Sequence, residues 1–218
     1  EISACLVGSE MCIRDSTITV QCTHAVAQFW LFPRLLAFNK QHPDITVSIH
    51  ANNDMDESSV AEHDFGILYG AGHWSSLAAV SLFAEMVYPI VSRRLELPVV
   101  KELAQLAELP LIQLDASEWN CIDWRDWFHH FGLDYSAPPG ALGFNQLTLM
   151  FSAVQQGMGV GLGWDFMASQ LVAQGELLRV GEWAFRTGQA DFLVHPRHKR
   201  LSASGQLFRD WLVAQAAE

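Results

Sequence analysis

Two changes of hydrophobic period near the start of the chain constrain its fold more than any other feature. Apolar and polar residues alternate over 17–22, as they do in a strand with one buried face. Leu31, Leu35 and Phe38 then recur at i, i+4 and i+7, which predicts a helix buried along one stripe. Alternation returns over 45–49. A strand, a helix and a strand in this order predict a parallel α/β unit.

The rest of the chain continues this mixture of strands and helices. Pro33 is expected either to kink the first helix or to start its main body. The final helix is expected to bury Leu207, Trp211 and Leu212, and Asn145 is expected to cap the helix that it begins. Glycines alternate with larger residues over 157–163, which we expect to be a strand. One face of this strand carries no side chains, so neighbouring elements can pack closely against it. The further predicted strands are 65–69, 87–91, 111–114 and 192–195, and the further predicted helices are 99–107, 124–131, 145–157 and 204–216.

The charge balance argues against nucleic acid as a direct partner of this chain. Its 24 Asp and Glu residues outnumber its 13 Lys and Arg residues, which gives a net charge of −11 without a clustered basic stripe. No apolar stretch reaches the roughly 18 residues that a membrane helix needs. Half of the residues are hydrophobic, which is enough to build a folded core. The sequence therefore predicts a compact protein that binds neither DNA nor a membrane by itself.

No motif in the chain carries catalytic or metal chemistry. The glycine run lacks the G-x-G-x-x-G offset of a dinucleotide site, and the kinase-like triplet at 64–66 has none of its companion motifs. Neither His129-His130 nor the pair His195 and His198 has a third ligand at metal-site spacing. We therefore expect no catalytic residue, no metal site and no cofactor, and a protein that is not an enzyme.

The first residues have the character of a segment outside the fold. Residues 1–16 show no strand or helix period, and they lack the cationic start and apolar stretch of a signal peptide. Their run CLVGSEMCIRDS resembles a peptide produced when sequencing adaptor is translated. We expect 1–16 to be non-native or disordered and the folded domain to be 17–218. The four cysteines form no CxxC pair, so we expect reduced thiols and a cytoplasmic protein.

Five segments, in family order, resemble the effector-binding domain of LysR-type transcriptional regulators. WLFPRLLAFNKQHPDITVSI is similar to the first helix and second strand of that domain, with its W-L-x-P and H-P-D-I elements. HDFGILYGAGHW resembles the form seen in the glycine-cleavage-activator subgroup. The five segments occupy 30–49, 63–74, 124–133, 145–163 and 208–212.

The resemblance implies a fold and a function. The fold would be α/β, a two-lobed type 2 periplasmic-binding-protein-like fold with two crossover strands and a central ligand cleft. Lobe I would take 17–91 and 192–218, and lobe II would take 92–191. The function would be ligand sensing for a LysR-type regulator, with an anionic or amino-acid-like effector. A secreted solute-binding protein and an enzyme of the same fold are the alternatives.

The same resemblance implies partners for the domain. DNA would be bound only through an N-terminal winged helix-turn-helix that is absent from this chain. A homodimer or homotetramer is expected, with aromatic residues such as Trp30 and Phe38 on exposed helix faces.

Nine positions match the family's ligand-binding positions. Three of them also have a purely structural interpretation, because His24 and Asn145 can cap helices and Tyr69 can pack under a loop. Ala25, Tyr69 and Trp164 depart from the residues common in the family, so the resemblance does not identify the ligand. The implied ligand-binding residues are His24, Ala25, Val26, Asn53, Tyr69, Gly70, Asp115, Asn145 and Gln146.

Overall fold

The strand, helix and strand expected near the start of the chain are present in the computed structural model, which describes residues 16–115 and 121–216. The segment expected to be non-native or disordered, 1–16, lies outside the described residues except for Ser16. The strands are β1 Thr17–Cys22, β2 Thr46–Ala51, β3 Phe65–Gly70, β4 Leu77–Ser92, β5 Gln113–Leu114, β6 Gly143–Phe144, β7 Gly161–Trp164, β8 Leu177–Arg179 and β9 Phe185–Pro196. The α-helices are α1 Phe32–Gln41, α2 Leu103–Ala107, α3 Trp124–His130, α4 Leu147–Gln155, α5 Asp165–Ala173 and α6 Ala203–Ala216.

The chain divides into two compact units, and each boundary falls inside a long strand. Unit 1 comprises the residues up to Ala84 and those from Gly188 onwards, and unit 2 is Glu85–Thr187. The first boundary therefore lies within β4 and the second within β9. The lobe limits expected from the sequence, at 91/92 and 191/192, lie within the same two strands.

The sheet of unit 1 is mixed. β1 runs parallel to β2 along its whole length and parallel to β3, while β3 pairs antiparallel with β9. The strand order is β2, β1, β3, β9. The predicted parallel α/β unit is confirmed. Because β1, β2 and β3 are parallel, their carboxyl ends meet at one edge of the sheet.

The helix that joins β1 to β2 begins with a π-helical segment, Val26–Leu31. Within it the Phe32 N–H donates to the carbonyl oxygen of Ala27, five residues earlier. Pro33 lies in the first turn of α1, where its missing N–H does least harm, so it starts the main body of the helix.

The buried stripe of this helix is confirmed, since Leu31, Leu35 and Phe38 are all buried. Phe38 packs edge-on against Phe208 and Trp211 of α6. For α6 the expected burial of Leu212 is confirmed, whereas Leu207 is exposed and Trp211 is only half-buried, and the buried Phe208 was not predicted. The partners of α6 set its rotation, and the helix's own pattern does not reveal them.

In unit 2, β4 pairs antiparallel with β7 and β8, and β5 pairs parallel with β6. β4 is much longer than the predicted 87–91.

The predicted helix 99–107 is reduced to α2, because a capping box starts the helix at Leu103. The Gln105 side chain accepts the Glu102 N–H, and the Glu102 side chain accepts the Gln105 N–H.

The glycine run packs closely, as predicted. A Cβ at Gly163 would lie 2.7 Å from Ile90 Cδ1, and one at Gly161 would collide with Val154. Gly157 has a φ of 80° two residues after the end of α4, in the left-handed region that ends many helices.

No helix formed by 16–115 or 121–216 combines the length and apolar character that crossing a bilayer requires.

Candidate ligand-binding site

His24 and Asn53 meet at the carboxyl edge of the unit 1 sheet. β1 and β2 end side by side there, and the Asn52 N–H donates to the Cys22 carbonyl oxygen at 3.0 Å. The Asn53 side-chain oxygen accepts the His24 backbone N–H at 3.2 Å and lies 3.2 Å from Nδ1 of the same histidine. His24 is exposed and Asn53 is half-buried. Two of the residues implied by the resemblance therefore form one polar group at the surface.

The residues that follow His24 face inward. Ala25 and Val26 are both buried. The Thr23 hydroxyl oxygen accepts the Val26 N–H at 3.3 Å and caps the helix. The structural alternative for His24 as the cap is therefore wrong, since Thr23 supplies the capping oxygen. A threonine directly before a helical period was the signal for it.

Tyr69 and Gly70 end β3 at the same edge of the unit 1 sheet. Both are half-buried, and Tyr69 pairs directly across from Asp191 of β9. Gly70 lies under Trp74, whose ring would be 3.2 Å from an added Cβ.

Asp191 is a buried carboxylate that the sequence interpretation missed. Only 7% of its surface is exposed. Burial, followed by the negative charge of Asp191, raises the pKa of the Cys22 thiol to about 12. The strand predicted from the sequence begins at Phe192 and does not include Asp191, whereas β9 begins at Phe185. Its pairing with β3 joins residues more than a hundred positions apart in the chain, and no local pattern reports it.

The unit 2 residues implied by the resemblance form a second group. Since β5 and β6 are parallel, Asp115 and Asn145 follow neighbouring strand ends, and the Asp115 N–H donates to the Phe144 carbonyl oxygen at 2.8 Å. Asn145 is not the helix cap, contrary to the prediction. α4 begins at Leu147, its cap is Gln146 in an extended conformation, and no side chain caps it.

A second buried carboxylate, Glu85, lies at the start of unit 2. Its two oxygens accept hydrogen bonds from Trp164 Nε1 and the Thr187 hydroxyl, each at 2.7 Å. Burial and then the charge of Glu85 raise the pKa of the Cys121 thiol. Trp164, for which the resemblance implied a departure from the family's usual residue, holds this carboxylate through its indole N–H.

In the part of the chain that the structure describes, no three His, Cys, Asp or Glu side chains lie together in a way that could hold a metal ion. His130 stacks on Phe185 with ring centroids 3.7 Å apart, and His195 Nδ1 lies 3.2 Å from the Pro196 carbonyl oxygen.

Comparison with protein families places the chain. The model of the LysR substrate binding domain matches residues 14–217. The chain belongs to this family. The resemblance found in the sequence is thereby confirmed, and the relatives of this LysR domain are transcription regulators.

The glycine cleavage system transcriptional activator of Escherichia coli (strain K12) is 30% identical over 205 residues. The match covers 92% of this chain and 65% of that protein, so the chain spans about two thirds of its length. The transcriptional activator AmpR of Citrobacter koseri is 27% identical over 203 residues, covering 91% of this chain and 67% of the relative.

Solved structures of LysR regulators share the fold. The effector domain of AmpR of Pseudomonas aeruginosa superposes with a TM-score of 0.73 at 23% identity, covering 92% of this chain and 96% of that one. The full-length activator AphB of Vibrio cholerae superposes with a TM-score of 0.70 at 17% identity, covering 96% of this chain and 73% of that one. The α/β, periplasmic-binding-protein-like fold class is therefore confirmed.

Proposed function

We propose that this LysR domain senses a small metabolite for a DNA-binding transcription regulator and is not an enzyme. The observation that carries the proposal is the group of polar side chains at the carboxyl edge of β1, β2 and β3. His24 and Asn53 are joined there by hydrogen bonds, and Tyr69 ends the neighbouring strand. Strand ends and helix starts are where α/β folds gather the groups that bind ligands.

The residues of unit 2 remain predictions for the same role. Asp115, Asn145 and Gln146 follow the ends of β5 and β6, as the unit 1 residues follow the ends of their strands. Relatives that are regulators support sensing over the alternative of a secreted solute-binding protein. A cytoplasmic location follows from the same proposal.

Thermal shift with a metabolite library tests the proposed sensing role. A ligand that binds only the folded domain at 100 times its Kd adds roughly 2.7 kcal/mol to the free energy of unfolding. For a domain of this size we expect the melting temperature to rise by about 5–10 °C. Asn53→Ala and Tyr69→Ala should each abolish the rise, and Gln170→Ala, at an exposed position of α5, should retain it.

Some loss of unliganded stability is expected for Asn53→Ala, because it removes the acceptor of the His24 N–H. The response to ligand is therefore compared with each variant's own unliganded melting temperature. A metabolite that stabilises both variants as much as the wild type would show that the site lies elsewhere.

We also propose that the domain associates with a second copy of itself. The aromatic residues expected to be exposed, Trp30 and Phe38, are buried, and Trp30 packs against Phe83. The exposed apolar surface of α1 is instead Phe32 and Leu36, one helical turn apart. Sedimentation should show dimer or tetramer at tens of micromolar. The double variant Phe32→Ser, Leu36→Ser should sediment as a monomer, and wild-type protein that stays monomeric would refute the proposal.

DNA contact is proposed to require a winged helix-turn-helix outside this sequence. The net charge of −11 gives this chain little means of neutralising phosphates. A gel shift with the regulated promoter should show no complex with this chain alone, and a salt-sensitive complex would contradict the proposal.

A further inference from the structure

Asp191 places a negative charge at the edge of the sheet where the proposed ligand site lies. Only two charged residues are buried in the described part of the chain, Glu85 and Asp191. Because paired residues of adjacent strands point to the same face, Asp191 shares a face with its partner Tyr69. The register of β1 with β3 puts Cys22 on that face as well.

The negative charge of Asp191 influences Cys22, the last residue of β1. Its charge helps to raise the pKa of the Cys22 thiol, and Cys22 is separated from His24 by one residue. Asp191 therefore contributes negative potential where the helix after β1 begins. Charges in such a poorly solvated place interact more strongly than in bulk water.

Two N–H donors at the start of that helix already donate hydrogen bonds within the protein. The Val26 N–H donates to the Thr23 hydroxyl, and the His24 N–H donates to the side-chain oxygen of Asn53. The start of a helix commonly binds anions, because its first N–H groups have no acceptor within the helix. Here two of these groups already donate within the protein, and Asp191 lies at the same edge of the sheet, which disfavours an anion there.

On this basis we propose that Asp191 is a specificity-determining residue, which selects ligands carrying an ammonium or other cationic group and rejects ligands whose only charge is negative. This inference rests on the proposed sensing function and narrows the expected effector class. Amines and amino acids fit it, whereas simple carboxylates do not.

The test compares probes that differ in charge at constant size. n-Propylamine, alanine and propionate, within a larger set of amines, amino acids and carboxylates matched in carbon number, are screened by thermal shift against wild type and Asp191→Asn. Asp191→Glu keeps the charge. Asp44→Asn is the matched control, since this exposed residue precedes β2 at the opposite edge of the same sheet.

We expect the compounds that stabilise the wild type to carry an ammonium group. Asp191→Asn should weaken their binding at least about tenfold relative to matched carboxylates, whereas Asp191→Glu and Asp44→Asn should keep the wild-type preference. Stabilisation by carboxylates alone, or an unchanged preference in Asp191→Asn, would overturn this inference and leave the sensing function standing. If no compound of any charge class stabilises the wild type, the sensing function fails and the inference fails with it.

Discussion

Glu85 and Asp191 are both buried carboxylates on long strands, yet their surroundings differ. Glu85 accepts two short hydrogen bonds, from an indole and a hydroxyl, so its charge is stabilised by fixed donors of unit 2. Asp191 lies beside a thiol and across from Tyr69, at the edge where ligand contacts are proposed. Both carboxylates are equally well buried, so it is their neighbouring groups that separate a structural role for Glu85 from the role proposed for Asp191.

The largest expected effect is that of Glu85→Ala. It leaves the Trp164 N–H and the Thr187 hydroxyl without this acceptor, and hydrogen bonds to a charged group contribute about 1.5–3 kcal/mol each. We expect a loss of about 3 kcal/mol in the free energy of unfolding, measured by urea denaturation. Glu85→Gln keeps one acceptor oxygen and should lose about half as much. A loss below about 0.5 kcal/mol for the alanine variant would show that Glu85 is not structural.

The variant Trp164→Phe also tests the structural role of Glu85, by changing the donor instead of the acceptor. It keeps a buried ring but removes the N–H that donates to Glu85, so we expect a loss of about 1–2 kcal/mol. Combined with Glu85→Ala, the losses should be less than additive, because both changes remove one interaction. Strict additivity in the double-mutant cycle would mean that the hydrogen bond contributes nothing.

Asp64 offers an intermediate case, since it is only partly buried. Burial raises the pKa of Asp64, but hydrogen bonds from Lys199 and Thr19 outweigh this and hold it below its ordinary 3.8. A lowered pKa adds stability that is fully present above 3.8 and is lost as pH falls through the folded value. Lys199→Met should cost no more than about 1 kcal/mol at neutral pH, because the pair is partly exposed.

Urea denaturation across the acid range measures this contribution. The difference between wild type and Lys199→Met should shrink below pH 3.8, where Asp64 becomes protonated. A difference that is constant with pH would assign the effect of Lys199 to packing.

The smallest expected effect on stability is that of Asp191→Asn. The amide removes the desolvation cost of a buried charge, which offsets the hydrogen bonding lost with it, so we expect a change within about 1 kcal/mol. The Cys22 thiol should stay protonated, since burial is the larger cause of its raised pKa. A loss as large as that of Glu85→Ala in the same denaturation experiment would erase the distinction between the two carboxylates.

The sequence predicted the elements whose pattern is local. β1, the buried stripe of the first helix and β2 follow from periods of two and 3.6 residues. The pairing of His24 with Asn53 was accessible only through resemblance to a family. The two buried carboxylates were missed because long-range strand pairing and a distant indole bury them, and neither leaves a local period. For the same reason the buried face of α6 was predicted only in part, at Leu212 but not at Phe208.

The π-helical segment Val26–Leu31 gives the chain a place where its length can change. Such a segment contains one residue more than an α-helix would need for the same turn. Deleting the exposed Gln28 would restore ordinary α-helical bonding and leave the buried stripe that follows it in place, but it would turn the residues before it, His24 and the buried Val26 among them, by about 100° around the helix axis. A single codon lost here would therefore re-aim His24 only together with the buried side chains beside it, so a change of length in this segment is also a change in the core.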